Sequence, residues 1–290
     1  MDWAHEVLQT ILGGIYDGVY DVCKALFNVL FDAFDEQIVW AQNELTTPID
    51  SWNTWAYYFI KEIVCKNVCI PIAAAFITLI FCMELVHILQ DSNQMNNIKP
   101  QNVIFIFLKF AVCAMICSKS FEIVMGFYQI GLEATKKLGN QTIGAGSGEL
   151  KNRLELEDIL PATPSEYTFG LVLTIVGDFF LLLIAIAIVY VLSACIYVLI
   201  MMWFLEFLIY ASAAPIPFST FNNKEWSQVG MNYTRKMLAL SFRGFFMLLI
   251  FLLYRYIVGG LSAQSGSVMD FVNTLLMLIG TGFALIWLVG

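Results

Sequence analysis

The chain has 290 residues, 59% of them hydrophobic and 13% charged, with a formal net charge of −8 and a mean hydropathy of +0.75. Soluble domains are about 45–50% apolar and about 25% charged, so an ordinary soluble domain is excluded. The acidic balance, with no basic stripe, argues against a nucleic-acid binder, whose hold on phosphates rests on Lys and Arg.

Several apolar runs exceed the roughly 18 residues that signal a membrane span. They are uniformly apolar and do not alternate over about 10 positions as barrel strands do. The fold class expected is all-α, a polytopic helical membrane protein of about five spans, six being the alternative. "MDWAHEVLQT" lacks the basic and apolar regions of a cleavable signal peptide, so the internal spans are expected to drive insertion.

Residues 3–45 come first. Leu8, Ile11, Leu12, Ile15, Val19, Val22, Leu26, Val29 and Leu30 recur at helical spacing, opposite a polar face of Asp17, Asp21, Lys24, Asn28, Asp32 and Asp35. This predicts an amphipathic helix, interrupted at Gly13-Gly14 and ended by Pro48. Residues 1–50 hold nine acids and one cation, Lys24, which accounts for the net charge. That sign is wrong for anionic lipid headgroups. The helix either packs on the spans and membrane or binds a partner. Gly14 and Gly18 have GxxxG spacing, but that motif has force mainly within an apolar span.

Trp52, Trp55, Tyr57 and Tyr58 suit an interfacial aromatic belt before a first span at 67–89, which has Pro71 in its first turn. The polar turn 90–102 leads to a second span from Val103 to about Leu132. The stretch 133–166 reads as the main soluble loop. The run from Phe169 to Ala213 would be roughly 67 Å long as one helix, at 1.5 Å per residue. It is either one long helix or two spans with a turn near Tyr190 to Ser193, and no Gly, Pro or Asn marks such a turn. Further spans follow at 239–258 and 269–289. The organisation expected is an acidic helix and aromatic belt at 1–60, a membrane hairpin at 61–132, the loop at 133–166, and membrane helices with an elbow at 214–238 within 167–290. Counting Lys and Arg in the loops prefers six spans with the N-terminus inside; the missing turn prefers five.

Ionisable groups inside spans are costly and are functional hypotheses by default. Glu84 and Lys109 share a depth across the first hairpin, which predicts an intramembrane ion pair. It either pins the hairpin or, with His87 one turn beyond Glu84, relays protons. Asp178 and Glu206 lie too far apart on one helix to pair with each other, and Arg243 and Arg255 are the candidate partners. Lys119 and Glu122 could satisfy each other three residues apart. The seven cysteines read as small packing residues; four of them, Cys65, Cys69, Cys113 and Cys117, sit four apart in two pairs that a metal could use. No metalloprotease, P-loop or nucleophile-elbow pattern occurs. No cofactor and no enzymatic activity are expected.

"ASAAPIPFSTFNNKEW", residues 211–226, interrupts the apolar pattern. Pro215 and Pro217 should end the long helix and push the residue before each into an extended conformation. Phe218, Phe221 and Trp226 would lie at headgroup level, and Asn222, Asn223, Lys224 and Glu225 would turn toward water. The alternative is a plain connecting loop.

"EFLIYASAAPIPFSTFNNKEWSQVGMNYTRKMLALSFRGFFM" resembles the TrbL-like polytopic membrane component of conjugative type IV secretion systems, in the form found in integrative and conjugative elements of Gram-positive bacteria. "SWNTWAYYFIKEIV" and "VCIPIAAAFITLIFCMELV" fit the same group, and the resemblance covers about residues 1–280. It implies a cell-membrane scaffold or channel subunit with about five spans. The N-terminus and the loop 133–166 would lie outside, and the elbow in the cytoplasm near the assembly's ATPases. The implied partners are membrane lipid, other secretion subunits, further copies in a homo- or hetero-oligomer, and transiently the single-stranded DNA being passed with its relaxase. Pro215, Pro217, Phe218, Phe221, Asn222, Lys224 and Trp226 would form the partner-contact elbow. The chain departs from the family in ending "ALIWLVG", without a short basic tail. A secondary transporter is the alternative, though neither internal repeats nor a midplane break support it.

Overall fold

The computed structural model describes residues 2–91, 100–142, 167–223 and 226–260, and every regular element among them is helical. In chain order they are α1 (Asp2–Thr46), α2 (Ile49–Trp52), α3 (Thr54–Tyr58), a π-helix (Phe59–Cys69), α4 (Ile70–Asp91), α5 (Pro100–Ser118), α6 (Ser120–Thr142), α7 (Phe169–Ser212), α8 (Pro215–Ser219), a 3₁₀ turn (Thr220–Asn222) and α9 (Ser227–Gly260). Among the described residues, Thr54–His87, Phe169–Asn222 and Ser227–Leu253 are long and apolar enough to cross a membrane, and Ile104–Ser118 with Ser120–Asn140 qualifies as a fourth span bent by 58°. The first four predicted spans fall on these segments, and the fifth, at 269–289, lies outside the described residues. The α7 helix passes unbroken through Tyr190 to Ser193, where six spans would have required a turn.

The chain divides into two compact units that interleave along the sequence, one of Met1–Glu44, Lys137–Ile200 and Met247–Gly290, the other of Leu45–Lys136 and Met201–Phe246. In the first, α1 and the leading part of α7 run side by side and parallel. Gln9 Nε2 donates to the Tyr167 carbonyl at 3.2 Å, Gln37 Nε2 to the Ser193 carbonyl at 3.2 Å, and Trp40 lies 5.2 Å from Tyr197 between ring centroids. The α7 side buries Ile175, Asp178, Leu182, Ala185, Val189 and Leu192, and the α1 side buries Tyr16, Tyr20, Cys23, Phe27 and Leu30. These alternating steps of three and four make the 3.5-residue period that keeps a seam facing its partner. The expected apolar face of α1 is therefore corrected. Of that face Leu30 is buried, whereas Leu8, Ile11, Ile15, Val22 and Val29 are exposed, because Tyr16, Tyr20, Cys23, Phe27 and Leu30 are the positions that repeat at the seam period. The interruption at Gly13-Gly14 is also absent. Helix α1 is continuous, and a Cβ on Gly13 would stand 3.1 Å from the Tyr167 ring, whereas Gly14 and Gly18 face open space. Residues 133–142, expected in a loop, extend α6; Gly139 there accepts from Gln42 Nε2 at 3.2 Å.

In the second unit, Asn53 caps α3 through Oδ1, which accepts from Ala56 N at 3.0 Å. The π-helix follows and stops just before Pro71, whose missing N–H denies the Asn67 carbonyl an α-helical partner. Helices α4 and α5 form the predicted hairpin around Ile80, Ile106 and Phe110, with Ile77 and Phe81 against them. The second span is two helices and not one. The bend falls at Lys119, where Ser118 Oγ donates to the Met115 carbonyl at 2.8 Å and the Lys119 N–H is shared between Met115 and Ile116. Serine side chains that bond back to the preceding turn favour such kinks. Trp52 stacks on Phe204 at 4.8 Å, worth about 0.5–1.5 kcal/mol beyond burial, while Trp55 stays exposed.

Candidate functional site

The long helix α7 ends at Ser212, just before the two prolines, as expected, but the residues preceding them are not extended. Ala214, before Pro215, is helical at φ −49°, ψ −40°, and Ile216 lies within α8, so neither is extended. The carbonyls that lose their partners are served from one residue earlier. Ala214 N donates to Ala211 O at 3.3 Å, and Ile216 N to Ala213 O at 3.1 Å. Hydroxyls close the remainder, Ser219 Oγ on Ile216 O at 2.6 Å and Thr220 Oγ1 on Pro217 O at 2.8 Å. Pro215 sits at the start of α8, where a missing N–H costs little. The change of direction comes later, at Asn223, which is extended at φ −100°, ψ 131°. Asn223 Oδ1 then accepts from Trp226 N at 3.4 Å at the start of α9.

This segment turns inward, which corrects its expected exposure. Helix α8 packs on α4 and α5. Pro215, Phe218, Asn222 and Asn223 are buried, Pro217 and Phe221 are half-buried, and Trp226 is 37% exposed. The reason is aromatic packing. Phe218 stacks on Phe221 at 5.3 Å and meets Tyr233 edge-on at 5.7 Å. Gly230 lets α9 come close enough that a Cβ would stand 2.8 Å from the Pro217 carbonyl. Lys224 lies outside the described residues.

The hairpin charges converge on the same segment. Lys109 Nζ lies 3.8 Å from Glu84 Oε1 and donates to the Asn222 carbonyl at 2.7 Å. His87 is exposed one turn away on α4. Lys119 and Glu122 pair at 3.2 Å. Further along, Arg243 Nη1 donates to Glu206 Oε2 at 3.1 Å, joining α9 to α7. Asp178 does not share in this. It is 3% exposed in the seam of the other unit, and its Oδ2 has no hydrogen-bond partner there among the described residues. Burial, and then the Asp178 carboxyl, push the Cys23 thiol above its usual range. The Arg255 side chain is outside the described residues. Among those residues no three His, Cys, Asp or Glu side chains gather as metal ligands, and the cysteines are free.

The sequence reading missed the close-approach glycines. A Cβ on Gly131 of α6 would collide with the Ser241 carbonyl of α9, whose carbon is 2.9 Å away, and one on Gly244 would stand 2.6 Å from the Trp203 ring. Trp203 is fixed there by its Nε1–H, which donates to Leu240 O at 2.9 Å. Small residues at helix contacts are the signal for such positions. Tyr128, in contact with Phe207 at 5.0 Å, also went unremarked.

A family model described as TrbL/VirB6 plasmid conjugal transfer like protein matches residues 35–215, more than half of the chain. Neither the curated proteins nor the solved structures gave a match.

Proposed function

The chain belongs to the TrbL/VirB6 plasmid conjugal transfer-like family, a family of conjugal transfer components of type IV secretion systems, and on that premise we propose that it is a multi-pass scaffold or channel subunit of the bacterial inner membrane. It supports passage of single-stranded DNA with its relaxase, in an apparatus of the kind carried by integrative and conjugative elements. The observation that carries this reading is the extent of the match, which runs from the second half of α1 through the apolar helices to Pro215. One chain of about five spans encloses no DNA-wide pore, so the subunit works as an oligomer beside other subunits and ATPases. Trp226 and Lys224 make the cytoplasmic contact, while the Glu84–Lys109 pair holds the hairpin on which α8 rests. The roles are structural and need no cofactor.

The test is transfer frequency from a donor carrying an in-frame deletion of this gene, with plasmid complementation. Transfer should be lost and then restored. Unchanged transfer would reject the proposal and put a secondary transporter first. Trp226→Ala combined with Lys224→Ala should lower transfer while membrane abundance stays at the wild-type level. Normal transfer in that variant would remove the contact surface from the proposal.

A further inference from the structure

A groove of about 390 Å³ lies between α5 and the α8–3₁₀ segment, within one compact unit. Its volume is in the range of about 300–1,000 Å³ typical of small-molecule sites. Leu108, Val112, Phe218 and Phe221 make its apolar wall, and Lys109 and Asn222 are its polar members. Leu108 and Val112 are 61% and 48% exposed, so the groove opens along the exposed face of α5, the first half of the bent pair that together is long and apolar enough to cross a membrane.

Its polar members are donors. Asn222 is 5% exposed, and its Nδ2 has no hydrogen-bond partner among the described residues. Such groups are normally satisfied by protein or by a bound species. Lys109 has three N–H donors. One is held by the Asn222 carbonyl at 2.7 Å, and the Glu84 carboxylate at 3.8 Å pairs with the charge without taking a second hydrogen bond. An occupant therefore needs a hydrogen-bond acceptor at one end and an apolar body at the other. The species abundant where this groove opens, with both features, is a phospholipid.

We propose that this groove binds one membrane phospholipid, with phosphate oxygens accepting from Lys109 and Asn222 and an acyl chain lying along the wall of α5 and α8. The inference rests on the reading that α5 lies in the bilayer, and goes beyond it in assigning a ligand. It also gives the two-proline segment a second task, since α8 presents Phe218 to the acyl chain.

The full chain, purified in mild detergent and stripped of lipid, would be titrated with palmitoyl-oleoyl phosphatidylglycerol and bound lipid counted by native mass spectrometry. One lipid should bind saturably. Asn222→Leu, which removes the donor at similar size, should weaken binding about tenfold, the value of one hydrogen bond to a charged group. Val112→Trp, which fills the groove from an exposed position, should weaken it at least as much. Ile130→Trp, on an exposed face of α6 outside the groove, should bind as the wild type does. Equal binding by wild type and Val112→Trp, equal loss in Ile130→Trp, or preference for palmitate over the phospholipid would each overturn the proposal. The readout is independent of DNA transfer, so its failure leaves the conjugation role standing, and loss of transfer in the gene deletion leaves the groove untouched.

Discussion

Gly131→Ala tests how tightly α6 and α9 are held. A new Cβ there meets the backbone carbonyl of Ser241, with the carbonyl carbon at 2.9 Å. Ordinary contact needs 3.4 Å or more, and a backbone carbonyl has no rotamer through which to retreat. The helix must shift, at the about 1–3 kcal/mol typical of overpacking. Opposing this, Ala is about 1 kcal/mol better than Gly inside a helix. Gly126 on the same helix supplies the control, because a Cβ there meets nothing within 4 Å. Gly126→Ala should gain up to about 1 kcal/mol, and Gly131→Ala should fall about 1–3 kcal/mol below it. The propensity term is common to both variants, so the difference isolates the contact. Thermal and denaturant unfolding of the purified protein in one detergent would read it. Equal stability of the two variants would refute the close approach of α6 to α9.

Removing Arg243 alone strands the Glu206 carboxylate, so Arg243→Ala should lower membrane abundance more than Arg243→Ala with Glu206→Ala; a double-mutant cycle by denaturation should give a coupling of about 0.5–3 kcal/mol, and additivity would refute the pair. Cys23 is fully buried and its thiol is raised by burial, so in a chain retaining only that cysteine, maleimide labelling at pH 8 should be slow until the protein is denatured. Rapid native labelling would refute the α1–α7 seam. Pro217→Ala adds an N–H whose natural acceptor, Ala213 O, is already engaged. It should cost no more than about 1 kcal/mol, chiefly through the unfolded chain, and leave transfer normal. A larger loss would mean that the ring itself sets the path of α8.

The long helices were legible because an unbroken apolar run of span length is too long for a strand and too greasy for a solvated helix. Depth alone pointed to Glu84 beside Lys109, whereas for Glu206 the need of a charge for a partner left Arg243 and Arg255 open, and Arg243 is the one beside it. The bend at Lys119 was not legible, since it depends on one serine hydroxyl choosing a carbonyl. The inward turn of Phe218 and Asn222 escaped as well. Proline rules describe the lost N–H but not the neighbouring N–H groups that replace it. The burial of α1 was misjudged because its apolar residues cover two faces, and only the period of the partner helix selects Tyr16, Tyr20, Cys23 and Phe27.

The parallel seam of α1 and α7 has a consequence in time. Gln9 and its partner Tyr167 are 158 residues apart. At synthesis rates of about 5–20 residues per second, the ribosome takes roughly 8–30 s to deliver the second after the first. Throughout that interval Tyr16, Tyr20 and Phe27 have no α7 to cover them, while the α4–α5 hairpin has already emerged. Helix α1 must therefore be sheltered by lipid, chaperone or insertase before it is paired, and premature release of the nascent chain short of α7 leaves it with an open aromatic stripe.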